Sequence, residues 1–135
     1  MSATRVATAE KLVRLLVVDD DEGLAILMAE TLRHEGYLVD TAPSATSARA
    51  WLDRHPPDLM FLDLKLKDAS GPALVASLQR DRAAVPFVVV TGQGDEKVAV
   101  EVMKQGALDY VMKDTGLLDR LPAVAKRALN AIAGS

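Results

Sequence analysis

The sequence predicts a doubly wound α/β domain: a five-stranded parallel sheet with helices on both faces. Three observations predict it. Short apolar runs alternate with amphipathic stretches five times over. Each run has the length of a strand, far short of the roughly 20 apolar residues that cross a bilayer. Strand–helix alternation of this kind brings each strand back parallel to the one before it, which leaves helices to cover both faces.

The elements follow in order. Leu12 to Val18 is apolar except for Arg14, as expected of a strand covered on both faces. Glu22 to Glu35 carries Leu24, Leu27, Met28, Thr31 and Leu32 at helical spacing, and Gly36 supplies the stop. Tyr37 to Ala42 is a second strand, and Ser44 to Arg54 a second helix ended by Pro56 and Pro57. Asp58 to Leu62 is the third strand, and Pro72 to Arg80 the third helix, with Gly71 and Pro72 at its start. Pro86 to Val90 and Asp95 to Gln105 make the fourth pair, Leu108 to Met112 and Leu117 to Ala131 the fifth. The stripe Leu118, Leu121, Val124, Ala125, Ala128 and Leu129 packs the last helix on the core, and Trp51 does the same for the second. Residues 1–11 are expected to fray as a flexible extension. The domain is expected to span 12–132, with no output domain after it.

Composition narrows the chemistry. A chain of 135 residues, half of them apolar, fits one domain. With no cysteine, disulfides, thiolate zinc sites and thiol nucleophiles are excluded. The net charge of −3, with Lys and Arg dispersed, argues against a nucleic-acid partner. No signal-like or membrane-spanning segment is seen, so the reading is cytoplasmic, with no membrane partner. His34 and His55 sit among helix-type residues and read as surface histidines.

In an open parallel sheet the active residues lie at the carboxyl ends of the strands. Those positions hold Asp19, Asp20 and Asp21 after the first run, Asp63 after the third, Thr91 and Gly92 after the fourth, and Lys113 after the fifth. Crowded carboxylates repel, and each resists burial. A divalent cation resolves both problems, and oxygen donors without His or Cys favour Mg²⁺ or Mn²⁺. A cation beside a Lys and a Thr suits phosphoryl chemistry, and a carboxylate the metal leaves over would be the nucleophile. Asp21 reads instead as a helix cap. The acids at Asp19 to Glu22 stand where nucleotide-binding folds place glycines, so a bound nucleotide is not expected.

Leu16-Val17-Val18-Asp19-Asp20, then Asp58 to Asp63 with Gly71 eight positions on, then Val90-Thr91-Gly92, then Gly106 to Lys113, together resemble the four signatures of the response-regulator receiver domain, over about Leu15 to Asn130. The resemblance implies a flavodoxin-like (βα)5 fold and a two-component phosphorelay function. By it, Asp63 is the phosphoacceptor, loaded from a phosphohistidine on a sensor histidine kinase or histidine phosphotransfer protein. Mg²⁺ (or Mn²⁺) would be held by Asp19, Asp20, Asp63 and the Lys65 backbone carbonyl. Lys113, Thr91 and Gly92 would bind the phosphoryl group. Thr91 and Tyr110 would form the switch, moving the face of the fourth helix, fifth strand and fifth helix, which is also the face for a partner or a homodimer. Such a chain is a signalling phosphoacceptor, not an enzyme.

Two residues depart from the family pattern. Asp114 stands where a proline usually follows the lysine, so a trans link is expected there, with Asp114 capping the last helix. Lys67 replaces a frequent proline, leaving the loop after Asp63 less rigid. The rival readings are a degenerate receiver serving only as a protein-interaction module and a haloacid-dehalogenase-like phosphatase built on Asp19-Asp20-Asp21. The phosphatase would leave Asp63 without a role.

Overall fold

The computed structural model describes residues 12–134, so the expected fraying of residues 1–11 lies outside the described residues. The order is β1 (Arg14–Val18), α1 (Glu22–Arg33), β2 (Leu38–Ala42), α2 (Ala45–Arg54), β3 (Leu59–Asp63), α3 (Gly71–Arg80), β4 (Phe87–Thr91), α4 (Glu96–Lys104), β5 (Asp109–Met112) and α5 (Leu117–Ala133). All strand pairs are parallel, in the sheet order β2-β1-β3-β4-β5. This is the expected flavodoxin-like, doubly wound arrangement. The winding reverses between β1 and β3, which opens a crevice at their carboxyl ends.

Side chains alternate across the sheet. Leu15 and Val17 join Leu59 and Phe61 beneath α1 and α5. Leu16 and Val18 join Met60 and Leu62 beneath α2, α3 and α4. All eight are essentially inaccessible to solvent. Burying each stabilises the fold by about 2 kcal/mol, so the strand ends are a rigid platform. Trp51 packs on the second cluster as expected. By contrast, α4 buries only Val102 and is the most lightly held helix.

One stripe is corrected. In α1 the buried residues are Ala25, Met28, Ala29 and Leu32, while Leu27 is 50% exposed. The small side chains of Ala25 and Ala29 let the helix approach the sheet closely, which turns Leu27 outward. A pattern weighted toward large apolar residues does not register that. Asp63 and Thr91 are the last residues of their strands rather than the first beyond them, because the ladder continues through Asp63↔Val90 and Thr91↔Met112.

Local chemistry sets the helix ends. Asp21 caps α1 by accepting from the Leu24 N–H at 3.1 Å, as expected. Past the end of α1, Gly36 takes φ +97°, a region that side chains disfavour. Ser44 and Ser47 form a reciprocal capping box on α2.

The loop after Asp63 has an anchor that the Lys67 position does not reveal. The Asp68 carboxylate accepts from the Ala45 N–H (2.9 Å), the Thr46 N–H (2.9 Å) and the Thr46 hydroxyl (2.7 Å), so it also caps α2. These bonds favour the charged form and lower the Asp68 carboxyl from 3.8 to about 2. A carboxyl depressed in the folded state stabilises it above the ordinary value, and that contribution is lost as pH falls toward 2. Asp68→Ala is therefore expected to melt below the wild type at pH 7, with the gap narrowing between pH 4 and 2. Thermal melts across that range test this, and a gap independent of pH would remove the charge from the account.

Candidate functional site

Asp19 leaves the end of β1 with its N–H bonded to the Ala42 carbonyl at 3.0 Å. Its Oδ1 accepts from the Asp21 N–H at 2.9 Å, which turns the side chain toward β3. Oxygens of Asp19, Asp20 and Asp63 all lie within 4.8 Å of one another. Asp19 is 1% exposed and Asp63 5%, so two carboxylates share a nearly dry site. Gly71 lets α3 start against this strand end: a Cβ there would stand 3.1 Å from Leu64 Cα and 3.2 Å from the Asp63 carbonyl oxygen.

Lys113 enters from β5. Its N–H bonds the Thr91 carbonyl at 2.8 Å, and its Nζ lies 3.0 Å from Asp19 Oδ2 and 3.1 Å from Asp63 Oδ2. Burial and the neighbouring Asp19 raise the Asp63 carboxyl above its ordinary value, with Lys113 opposing them in part. Burial lowers the Lys113 ammonium, but the two carboxylates outweigh it and the net shift is upward.

The donor set fits a hard cation. It consists of oxygens only, and Asp19 Oδ2 is buried with no hydrogen bond of good geometry, offset only by the charge of Lys113. Lys65, the fourth residue expected at the metal, directs its N–H to Asp63 Oδ1 at 3.3 Å and its ammonium to Asp95 Oδ1 at 2.8 Å.

Thr91 is buried, and its hydroxyl makes one long contact, 3.4 Å to the Gly92 carbonyl. The Gly92 N–H donates to Asp95 Oδ2 at 3.1 Å. Tyr110 points outward and is 52% exposed, beside a 550 Å³ groove lined by Thr91, Ala99, Val100 and Met103. The peptide before Asp114 is trans, as expected. The cap expectation is corrected: Gly116 is the N-cap of α5 and no side chain caps that helix, because Asp114 lies two residues earlier and accepts instead from the Gly116 N–H at 3.0 Å and from Arg120 at 2.8 Å. Arg120 also bonds the Met112 carbonyl at 3.0 Å. These contacts hold the turn after Lys113 without a proline.

One residue of the site was not anticipated. Asp95 reads in the sequence as the first residue of a helix; here it is the N-cap of α4, yet it makes no side-chain capping bond and is 5% exposed, facing Lys65. An Asp before a helix ordinarily signals a cap, so nothing in the sequence marks the inward turn.

Comparison with known proteins identifies the family. The family model for the response regulator receiver domain matches residues 15–125. The nitrogen assimilation regulatory protein NtrX of Azorhizobium caulinodans is 35% identical over 120 residues, covering 87% of this chain and 26% of that protein. The alginate biosynthesis transcriptional regulatory protein AlgB of Pseudomonas aeruginosa is 39% identical over 106 residues, 78% of this chain and 24% of that protein. The chain thus spans about a quarter of the length of these two relatives. Among solved structures, the receiver domain of NtrX from Brucella abortus superposes with a TM-score of 0.79 at 36% identity, covering 86% of this chain and 98% of that one. A CheY-like receiver domain from Methanospirillum hungatei gives 0.79 at 27% identity, covering 93% and 100%. With its sheet order, its acidic crevice and this match, the chain belongs to the response regulator receiver domain family.

Proposed function

We propose that the chain is a phosphorylation switch: it takes a phosphoryl group from a phosphohistidine onto Asp63 in a Mg²⁺-dependent step. The observation that carries this reading is the Asp19–Asp20–Asp63 cluster at the switch point, with Lys113 bridging Asp19 and Asp63. An Asp63 carboxylate oxygen forms the bond to phosphorus while the phosphorus–nitrogen bond breaks, and the electron pair returns to the imidazole. Asp19, Asp20, Asp63 and the Lys65 carbonyl would hold Mg²⁺, which would supply positive charge for the phosphoryl oxygens. Lys113 would shift from pairing carboxylates to pairing the phosphoryl group. The Thr91 hydroxyl, with no strong bond to break, would turn to donate to it, along with the Gly92 N–H.

The output would travel through the space Thr91 leaves. Tyr110 lies outward beside a groove, and α4 is anchored by a single buried side chain. An inward turn of Tyr110 would alter the α4–β5–α5 face, where Val100, Met103 and Leu108 are exposed for a protein partner or a second copy. A sensor histidine kinase or histidine phosphotransfer protein is the phosphoryl source under this reading. Among the described residues no helix is long and apolar enough to cross a membrane. Domain limits of 12–132 remain part of the same proposal.

With Mg²⁺ and acetyl phosphate, intact mass should rise by one phosphoryl group in the wild type and not in Asp63→Asn. Equal behaviour of the two would end the assignment of Asp63, and steady phosphate release from varied phosphoesters would favour the phosphatase.

A further inference from the structure

Asp95 has the position of a helix cap and does not act as one. Its carboxylate turns away from the first amides of α4, into the crevice. Oδ2 takes the Gly92 N–H at 3.1 Å, and Oδ1 lies 2.8 Å from the Lys65 ammonium. Oδ1 has no hydrogen bond of good geometry, and the adjacent Lys65 ammonium is its nearest compensating charge. The contact joins the loop after β3 to the loop after β4, across the mouth of the site. Lys65 feels the charge of Asp63, and Asp95 that of Lys113, so the pair belongs to the same electrostatic field as the acceptor.

We propose that Asp95 is a positioning residue that latches the unphosphorylated site: its carboxylate occupies the Gly92 amide and the Lys65 ammonium, two donors that a phosphoryl group on Asp63 would recruit. The proposal rests on the phosphoacceptor reading above. Phosphorylation replaces the singly charged Asp63 carboxylate with an acyl phosphate of charge about −2, which adds about one negative charge and three acceptor oxygens to a crevice where Asp95 already holds a donor. One N–H cannot serve both acceptors at full strength, and like charges held this close repel. Phosphorylation therefore displaces Asp95, which frees Lys65 to turn toward the phosphoryl oxygens. Because Asp95 is the residue from which α4 begins, its release also loosens the start of that helix. The latch thus couples the acceptor to α4 by a route separate from Thr91 and Tyr110.

Asp95→Asn keeps the shape and an acceptor for Gly92 but removes the charge. In the full chain with Mg²⁺ and acetyl phosphate, acyl-phosphate formation on Asp63 is expected to quicken about tenfold, the worth of one charge-assisted bond no longer displaced. Lys65→Met should slow it clearly beside Asp95→Asn, where the ammonium is already free to serve the phosphoryl group, and less in the wild-type background, where Asp95 holds the ammonium. The Asp95 carboxyl-carbon resonance and the Gly92 amide resonance should shift together on phosphorylation. An Asp95→Asn protein that folds but is phosphorylated at or below the wild-type rate, or an Asp95 carboxyl resonance that stays put while Gly92 shifts, overturns the latch. A wild type that takes no phosphoryl group, like Asp63→Asn, overturns the phosphoacceptor reading and the latch with it.

Discussion

Lys113→Met is expected to lower the melting temperature of the metal-free protein by about 10 °C, the equivalent of roughly 3 kcal/mol in a domain of this size. The lysine lies 3.0 Å from Asp19 and 3.1 Å from Asp63, carboxylates that are 1% and 5% exposed. Removing it leaves two buried negative charges with nothing between them, and Met fills the stem without replacing the ammonium. A divalent cation answers the same need. Mg²⁺ at a hundredfold excess over its dissociation constant stabilises a protein by about 2.7 kcal/mol. In the wild type part of that gain is spent against the resident ammonium. Mg²⁺ should therefore bind Lys113→Met more tightly and raise its melting temperature more than that of the wild type. A smaller rise in the variant would mean that Lys113 helps to build the cation site rather than competing for it. Acyl-phosphate formation should still fall in this variant, because the charge that pairs with the phosphoryl oxygens is gone.

The residues that carry this competition were legible in the sequence because each follows an apolar run. Asp19 and Asp20 close the run that forms β1, Asp63 the run that forms β3, and Lys113 the run that forms β5. In a parallel sheet all these ends lie on one edge, so periodicity plus topology places side chains 50 residues apart, such as Asp63 and Lys113, in contact. What was not legible depends on contacts that loops make with each other and with helix ends, and no periodicity encodes the paths of loops. Asp68 binds the start of α2 from 22 residues away, Asp95 turns inward to Lys65 instead of capping α4, and Arg120 reaches back over Asp114. All three are charged residues, for which a solvated side chain is the ordinary expectation. The misplacement of Leu27 has a different origin. Two alanines, weak in any hydrophobic pattern, set how closely α1 lies on the sheet and so which way it faces.

Asp63→Asn, the substitution expected to abolish phosphoryl acceptance, is also expected to raise the melting temperature of the metal-free protein at pH 7 by about 5 °C. The amide has the same shape and still accepts from Lys113, which keeps its pairing with Asp19. What disappears is a buried charge beside another of the same sign. Burial and Asp19 raise the Asp63 carboxyl above its ordinary value of 3.8 despite Lys113. A carboxyl raised in the folded state holds its proton there more tightly than in the unfolded chain. Its ionisation therefore costs stability as pH rises from 3.8 through the raised value, and above that window the wild type bears the whole cost. The stability gap between Asp63→Asn and wild type should be smallest in acid, widen through that window and stay level beyond it. Mg²⁺ should shrink the gap, since it binds the carboxylate better than the amide. A metal-free Asp63→Asn protein less stable than wild type at pH 7 would show that the Lys113 pairing outweighs burial and Asp19, and would reverse the assigned direction. With the expected sign, the unliganded acceptor is held in a costly ionised state that added positive charge relieves, and that strain is what makes Asp63 responsive to Mg²⁺ and to the charge of Lys113.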